Sequence, residues 1–197
     1  MAAAENTVVS GNARITVLTE RLLRIEYNDR GMFEDRASQT VFYRDFAPCT
    51  YKTAKNEAWL TVETAALRLC CRTDVPFSAD TLTVALKNEP ASSWHYGDVP
   101  ETLGGTTKTL DSVNDGIPLG DGLCSRLGYA LLDDSSTMLL GEDGWVVPRP
   151  TGTVDFYFFG YGFDYRGCIA DYYRLTGIPP MLPAYALGNW WSRYYAY

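Results

Sequence analysis

The chain has 197 residues, 46% of them hydrophobic, which is enough for one domain with a sizeable core and crowded for two. A formal net charge of -7, with Lys and Arg scattered along the chain, excludes the basic face that a nucleic-acid partner requires. The start, MAAAENTVVSG, has no positive stretch leading into an apolar run, and no segment approaches the roughly 18 apolar residues of a membrane span, so a soluble, cytoplasmic protein with no membrane partner is expected.

Taken in chain order, ARITVLTERLLRIEY from Ala13 to Tyr27 reads as two strands. Ile15 and Val17 alternate with Thr16, then Leu23, Ile25 and Tyr27 alternate with Arg24 and Glu26, and Thr19, Glu20 and Arg21 supply the turn. Leu60 and Val62 mark a third strand. Leu67, Leu69 and Cys71 mark a fourth, and Leu82, Val84 and Leu86 a fifth. The Gly-, Asp-, Pro- and Thr-rich stretch from His95 to Leu127 shows no sustained period and reads as a long functional loop. Apolar strands over Gly128 to Leu132 and Thr137 to Leu140, joined by Asp133, Asp134, Ser135 and Ser136, predict a hairpin. In VDFYFFGYG, Val154, Phe156 and Phe158 alternate with Asp155, Tyr157 and Phe159, the signature of a strand covered on both faces.

One helix is predicted, at about Tyr165 to Thr176. Asp164 is placed to cap it, Tyr165, Ile169, Tyr172 and Tyr173 form one stripe, and Gly177 followed by Pro179 and Pro180 stops it. Beyond it lies a proline-led extended segment, with a strand expected from Leu187 to Tyr197. Together these elements predict a mainly β fold: an antiparallel β-sandwich ending in a helix.

Chemistry-bearing residues are sparse. Cys49, Cys70, Cys71, Cys124 and Cys168 are odd in number and lack C-x-x-C spacing, so reduced, buried thiols are expected, with no metal site and no cofactor. Glycines 160, 162 and 167 miss the spacing of a dinucleotide loop. His95 is the single histidine and no nucleophile elbow accompanies it, which makes a structural or exposed role its default. Glycoside hydrolysis needs two carboxylates flanking the bond, about 5–5.5 Å apart in retaining enzymes. Asp98, Asp111, Asp115 and Asp121 in the long loop are carboxylates of interest, although solvated turn formers look the same in sequence. Asp133, Asp134, Glu142 and Asp143 read as turn residues only.

The stretch YRLTGIPPMLPAYALGNWWSRY, from Tyr173 to Tyr194, resembles a junction motif of glycoside hydrolase family 31, which includes α-glucosidases and α-xylosidases. The runs LGGTTKTLD and PLGDGLCSRLGYALLDDS are similar to that family's loop and hairpin, so the resemblance covers the chain from about Arg14 to its end. It implies a galactose-mutarotase-like sandwich at residues 13–180 after a tail at 1–12. Residues 181–197 would then be a linker and the first strand of a (β/α)8 barrel, in which two aspartates beyond this sequence carry out catalysis. It also implies two contacts with an α-linked oligosaccharide or glycoside. Tyr194 would line the sugar pocket, with simple core packing as the other reading, and Asp111 would reach the sugar from the long loop, with Asp115 or Asp121 as alternatives. On this reading the chain is a truncated α-glycosidase, inactive alone.

A free-standing carbohydrate-binding sandwich is the competing reading, and a mutarotase a third, for which one histidine leaves little room. The aromatic tail favours the first. Trp190, Trp191, Tyr194, Tyr195 and Tyr197 carry rings each worth on the order of 1.5–3 kcal/mol when buried, and an unpaired strand offers free backbone donors and acceptors. The expected outcome is self-association or aggregation through this tail in sedimentation runs of the full chain, and a monodisperse monomer for a version ending at Gly177. Equal monodispersity, with the tail protected from protease, would show that it packs on its own sandwich.

Overall fold

The structure, a computed structural model, describes residues 2–88, 91–105, 116 and 118–188. Its strands in chain order are β1 Thr7–Ser10, β2 Ala13–Thr19, β3 Leu22–Asn28, β4 Lys52–Lys55, β5 Trp59–Glu63, β6 Leu67–Arg72, β7 Leu82–Leu86, β8 Ser93–His95, β9 Ala130–Asp133, β10 Leu139–Leu140, β11 Val146–Val147 and β12 Thr153–Phe159. Helix α1 spans Tyr165–Thr176. One sheet has the order β1-β2-β3-β12-β9, the other β4-β5-β6-β7-β8, and β10 pairs with β11 in a small separate ribbon. Every pairing between these strands is antiparallel. The predicted class, mainly β with one C-terminal helix, is the observed one.

The two sheets bury the period-2 sets seen in the sequence. Ile15, Val17, Leu23, Ile25, Phe156 and Phe158 from the first meet Leu60, Val62, Leu69, Leu82, Val84 and Trp94 from the second, and all of these are at most 5% exposed. A second apolar cluster lies on the far face of the first sheet, where Leu22, Tyr157 and Phe159 pack with Val41, Phe46, Cys168 and Leu175. The first sheet is therefore covered on both faces, as the aromatic pattern of β12 predicts.

That double cover has an ionic part. On the far face the cross-strand register places Arg14 and Asp155 on either side of Glu26, and Thr16 and Tyr157 on either side of Arg24. Arg24, Glu26, Asp134 and Asp155 are 2% exposed or less. Arg24 grips Asp155 with a two-pronged contact, Nε to Oδ1 at 2.8 Å and Nη2 to Oδ2 at 2.7 Å. Arg149 donates to Asp155 and to Asp134, both at 2.9 Å. Arg14 holds Glu26 in the same two-pronged way, at 2.6 and 2.8 Å. Arg44 donates to the Tyr157 hydroxyl at 2.6 Å, and Ser38 to Asp134 at 2.8 Å.

Burial pushes the Asp155 carboxyl up, but the Arg24 hydrogen bonds and the charges of Arg24, Arg149 and Arg44 outweigh it and hold the group below the usual carboxylate range. Glu26 goes the other way. Its burial exceeds the help from Arg24 and Arg14, and the nearby Asp155 adds to the rise.

Several local expectations change. The hairpin over 128–140 does not form, because β9 pairs with β12 while β10 leaves the sheet to pair with β11. The turn between them exists, with Thr137 donating to the Asp134 carbonyl at 3.2 Å. Asp134, expected as a turn residue, is instead a fully buried ionic group. Thr7–Ser10, expected in a tail, pairs with β2. Asp164 caps α1 as predicted, accepting from the Gly167 amide at 3.0 Å, but the buried stripe is Cys168 and Leu175. Of the expected stripe, Tyr172 packs on Phe159 with ring centroids 6.4 Å apart, while Ile169 and Tyr173 lie 42% and 39% exposed, because the helix turns Cys168 and Leu175 toward Phe46 and Phe159. Ala184–Leu187 is a short 3-10 turn where the predicted strand was to start, and residues 189–197 lie outside the described ones. Ile178, Met181, Tyr185 and Leu187 are at least 77% exposed.

The ionic layer yields a stability prediction. Arg24→Ala leaves Asp155 and Glu26 buried with part of their compensation gone, and is expected to cost about 3–5 kcal/mol in urea unfolding. Arg72→Ala, which removes the exposed pair with Asp74, is expected to leave the midpoint unchanged within error.

Candidate functional site

The loop carboxylates expected to act lie between β8 and β9. The chain leaves β8 through a tight turn in which Asp98 accepts from the His95 amide at 2.9 Å and the Trp94 indole N–H donates to the Asp98 carbonyl at 2.9 Å. His95 Nδ1 stands 3.5 Å from the same carboxylate, and both side chains are about half exposed. His95, the last residue of β8, is thus exposed, in line with its expected default.

Further on, two stretches pair into a neck. Thr102 and Ser125 form a bridge, Leu103 donates to the Cys124 carbonyl at 2.8 Å, and Gly105 donates to the Gly120 carbonyl at 3.1 Å. The Thr102 hydroxyl accepts from the Gly122 amide at 3.1 Å and donates to Asp121 at 3.4 Å. Glycine is required here by contact: a Cβ on Gly122 would lie 2.7 Å from the Gly104 carbonyl oxygen, and Gly104 has φ +73°. The base of the neck is anchored by Ser125, 2% exposed, whose hydroxyl donates to the Tyr129 carbonyl. Gly162, just ahead of α1, donates to the Gly128 carbonyl at 2.8 Å.

Of the predicted site residues, Asp121 sits in this neck, exposed and hydrogen-bonded to Thr102. Asp111, Asp115 and Tyr194 lie outside the described residues. The structure therefore places the two ends of the segment that carries Asp111 without describing Asp111 itself.

The structure also brings together a set that sequence reading did not combine. Where β8 and β9 form neighbouring edges of the two sheets, a cavity of about 260 Å³ is lined by Trp94, Tyr96, Asp98, Val99, Asp133 and Phe156, among others. Burial, and then the charge of Asp133, push the Tyr96 hydroxyl above its usual pKa. The same two causes, with Asp98 as the charge, act on Tyr129. The available signal was the spacing of Trp94 and Tyr96, two residues apart on one face of a strand end. Its partner Asp133 lies 37 positions further along the chain than Tyr96 (133 − 96), which spacing alone cannot connect.

The neck generates a prediction. Gly122→Ala forces the Gly104 carbonyl aside and is expected to expose the Leu103 and Gly105 amides to hydrogen exchange and to open residues 102–105 and 120–125 to protease. Gly116→Ala, whose added Cβ would meet nothing within 4 Å, is expected to leave both unchanged.

No protein-family model and no curated protein matches the chain. Solved structures do. The glycoside hydrolase family 31 dextranase of Flavobacterium johnsoniae, in complexes with isomaltotriose and with glucose, matches with a TM-score of 0.56 at 17% identity over 93% of this chain. A family 31 α-xylosidase from a soil metagenome, complexed with xylose, matches with a TM-score of 0.54 at 12% identity over 92% of this chain. The chain spans 28% of the length of the first enzyme and 36% of the second. Its fold is thus related to that of family 31 glycoside hydrolases.

Proposed function

We propose that this chain is the sandwich portion of a retaining α-glycosidase of the α-glucosidase or α-xylosidase type, which hydrolyses terminal α-linked sugars. The observation that carries this reading is the extent of the structural likeness: more than nine-tenths of the chain is matched by enzymes whose own names specify dextran and xyloside substrates. The junction sequence from Tyr173 to Tyr194 supports it independently.

In this reading the nucleophile and the acid/base are two aspartates of a barrel formed by further chain of the parent, since a barrel takes about 250 residues. Residues 181–197 form the linker and the first barrel strand. The sandwich contributes position rather than chemistry. Its neck presents the segment after Gly105 so that an acidic residue, Asp111 before Asp115 or Asp121, accepts hydrogen bonds from sugar hydroxyls, and Tyr194 offers a ring face to the sugar. Such contacts act by fixing the bound sugar in reactive geometry. All five cysteines are free thiols, which suits a reducing cytoplasm. Among the described residues no helix is long and apolar enough to cross a membrane.

The test is turnover of aryl α-glucosides and α-xylosides by the purified chain and by the protein encoded by the whole reading frame. None is expected from the chain, and robust turnover from the parent. In the parent, Asp111→Ala is expected to lower kcat/KM by about 10²-fold through lost orientation. Activity of the chain itself, surviving removal of contaminants, would overturn the assignment.

A further inference from the structure

The cavity between the edges of β8 and β9 belongs neither to the neck nor to the residues proposed to reach a barrel active site. Its floor is apolar. Trp94 and Phe156, ring centroids 5.5 Å apart, are 2% and 5% exposed, and Tyr96 packs on both at 6.2 and 6.0 Å. Its rim is polar and largely acceptor-only. One oxygen of Asp98 is taken by the His95 amide and one of Asp133 by the Ser135 amide at 2.9 Å. Among the described residues, the second oxygen of each carboxylate and the Tyr96 hydroxyl have no hydrogen-bond partner. Ionised carboxylates only accept, so the rim calls for a ligand with several O–H or N–H donors, while the floor calls for an apolar face beside them.

We propose that this cavity is a sugar-binding site, separate from the catalytic pocket of the parent, that holds one pyranose ring with its C–H face on Tyr96 and its hydroxyls on Asp98 and Asp133. The volume of about 260 Å³ suits a single ring. A quaternary ammonium ligand would also suit two carboxylates, but an aromatic cage works by presenting several open ring faces. Here two of the three rings are almost fully covered by the core, and both carboxylates are exposed to screening solvent. The Tyr96 hydroxyl, protonated at neutral pH as any tyrosine is, can donate to a ring or ether oxygen. The choice of a sugar among donor-rich ligands rests on the proposed function; the cavity does not.

The test uses the full 197-residue chain and two readouts that tolerate self-association. These are saturation-transfer difference NMR on isomaltotriose and on xylose, and hydrogen exchange of the 94–99 stretch with and without isomaltotriose. Saturable binding with a Kd of about 1–10 mM is expected, as befits a small ligand in an open site, together with protection of 94–99. Asp133→Asn is expected to weaken binding about tenfold, the loss of one charge-assisted hydrogen bond. Val99→Trp, at a position 89% exposed on the cavity wall, is expected to abolish it by filling the cavity.

The site is overturned if neither sugar saturates below about 100 mM, if binding survives Val99→Trp in a chain whose circular dichroism is unchanged, or if tetramethylammonium chloride binds there and the sugars do not. Should the variants fold poorly, the wild-type exchange map still decides, because sugar protection elsewhere than 94–99 also overturns the site. Binding is read here without catalysis. Turnover by the parent with no sugar bound at this cavity sinks the site alone, and binding here with an inactive parent sinks the glycosidase reading alone.

Discussion

The two-pronged contact of Arg24 with Asp155 joins two neighbouring strands that are 131 positions apart, and much of the far side of the molecule is arranged around it. Sequestered charges are tolerated only when their remaining valences are met. The covering segments meet them: the Glu34 carbonyl accepts from both Arg14 and Arg24, Ser38 donates to Asp134, and Arg149 bridges the two aspartates. Irregular chain between β3 and β4, and again between β9 and β12, is in this way fixed against the sheet without forming long strands of its own. Such a layer adds less net stability than an apolar one of equal volume, but its directional bonds restrict the ways the covering segments can lie.

With the far face closed by ionic contacts and the near face by the second sheet, the remaining features gather where the sheets end. The chain between the edges β8 and β9 is clasped by the neck at 102–105 and 120–125, and the cavity lies where those edges meet. The neck depends on backbone-to-backbone contact between glycine-bearing stretches, whereas the cavity depends on aromatic packing continuous with the core. The two are different in kind, one positioning a segment and the other enclosing space.

Much of this was legible in the residues. Period-2 alternation placed β2, β3, β5, β6, β7 and β12 because their inward sets are purely apolar, and Asp164 and Gly177 bounded α1 at the residues where the structure ends it. What failed to read did so for tertiary reasons. The turn chemistry of Asp133 to Ser136 was correct, but local sequence does not say which strand a neighbour will pair with, and β9 finds four cross-strand partners on β12 while β10 has only two residues. Asp134 looks like any turn aspartate until Arg149 and Ser38 are seen around it. On α1 the aromatic residues suggested the buried side, yet of them Tyr172 alone is placed against the cluster whose buried helix members are Cys168 and Leu175. The cavity was unreadable because one of its carboxylates, Asp98, lies just after β8 and the other, Asp133, at the far end of β9.

The glycine crossing at the neck also bears on how such a chain can vary. Because residues 102–105 and 120–125 are bonded to each other, the ends of whatever lies between them are already held together, and the closure entropy belongs to the neck rather than to the sandwich. The clasp itself has no such freedom: a methyl group on Gly122 would meet the Gly104 carbonyl oxygen at 2.7 Å, so whatever a lineage places beyond the neck, the two crossing stretches must keep their glycines.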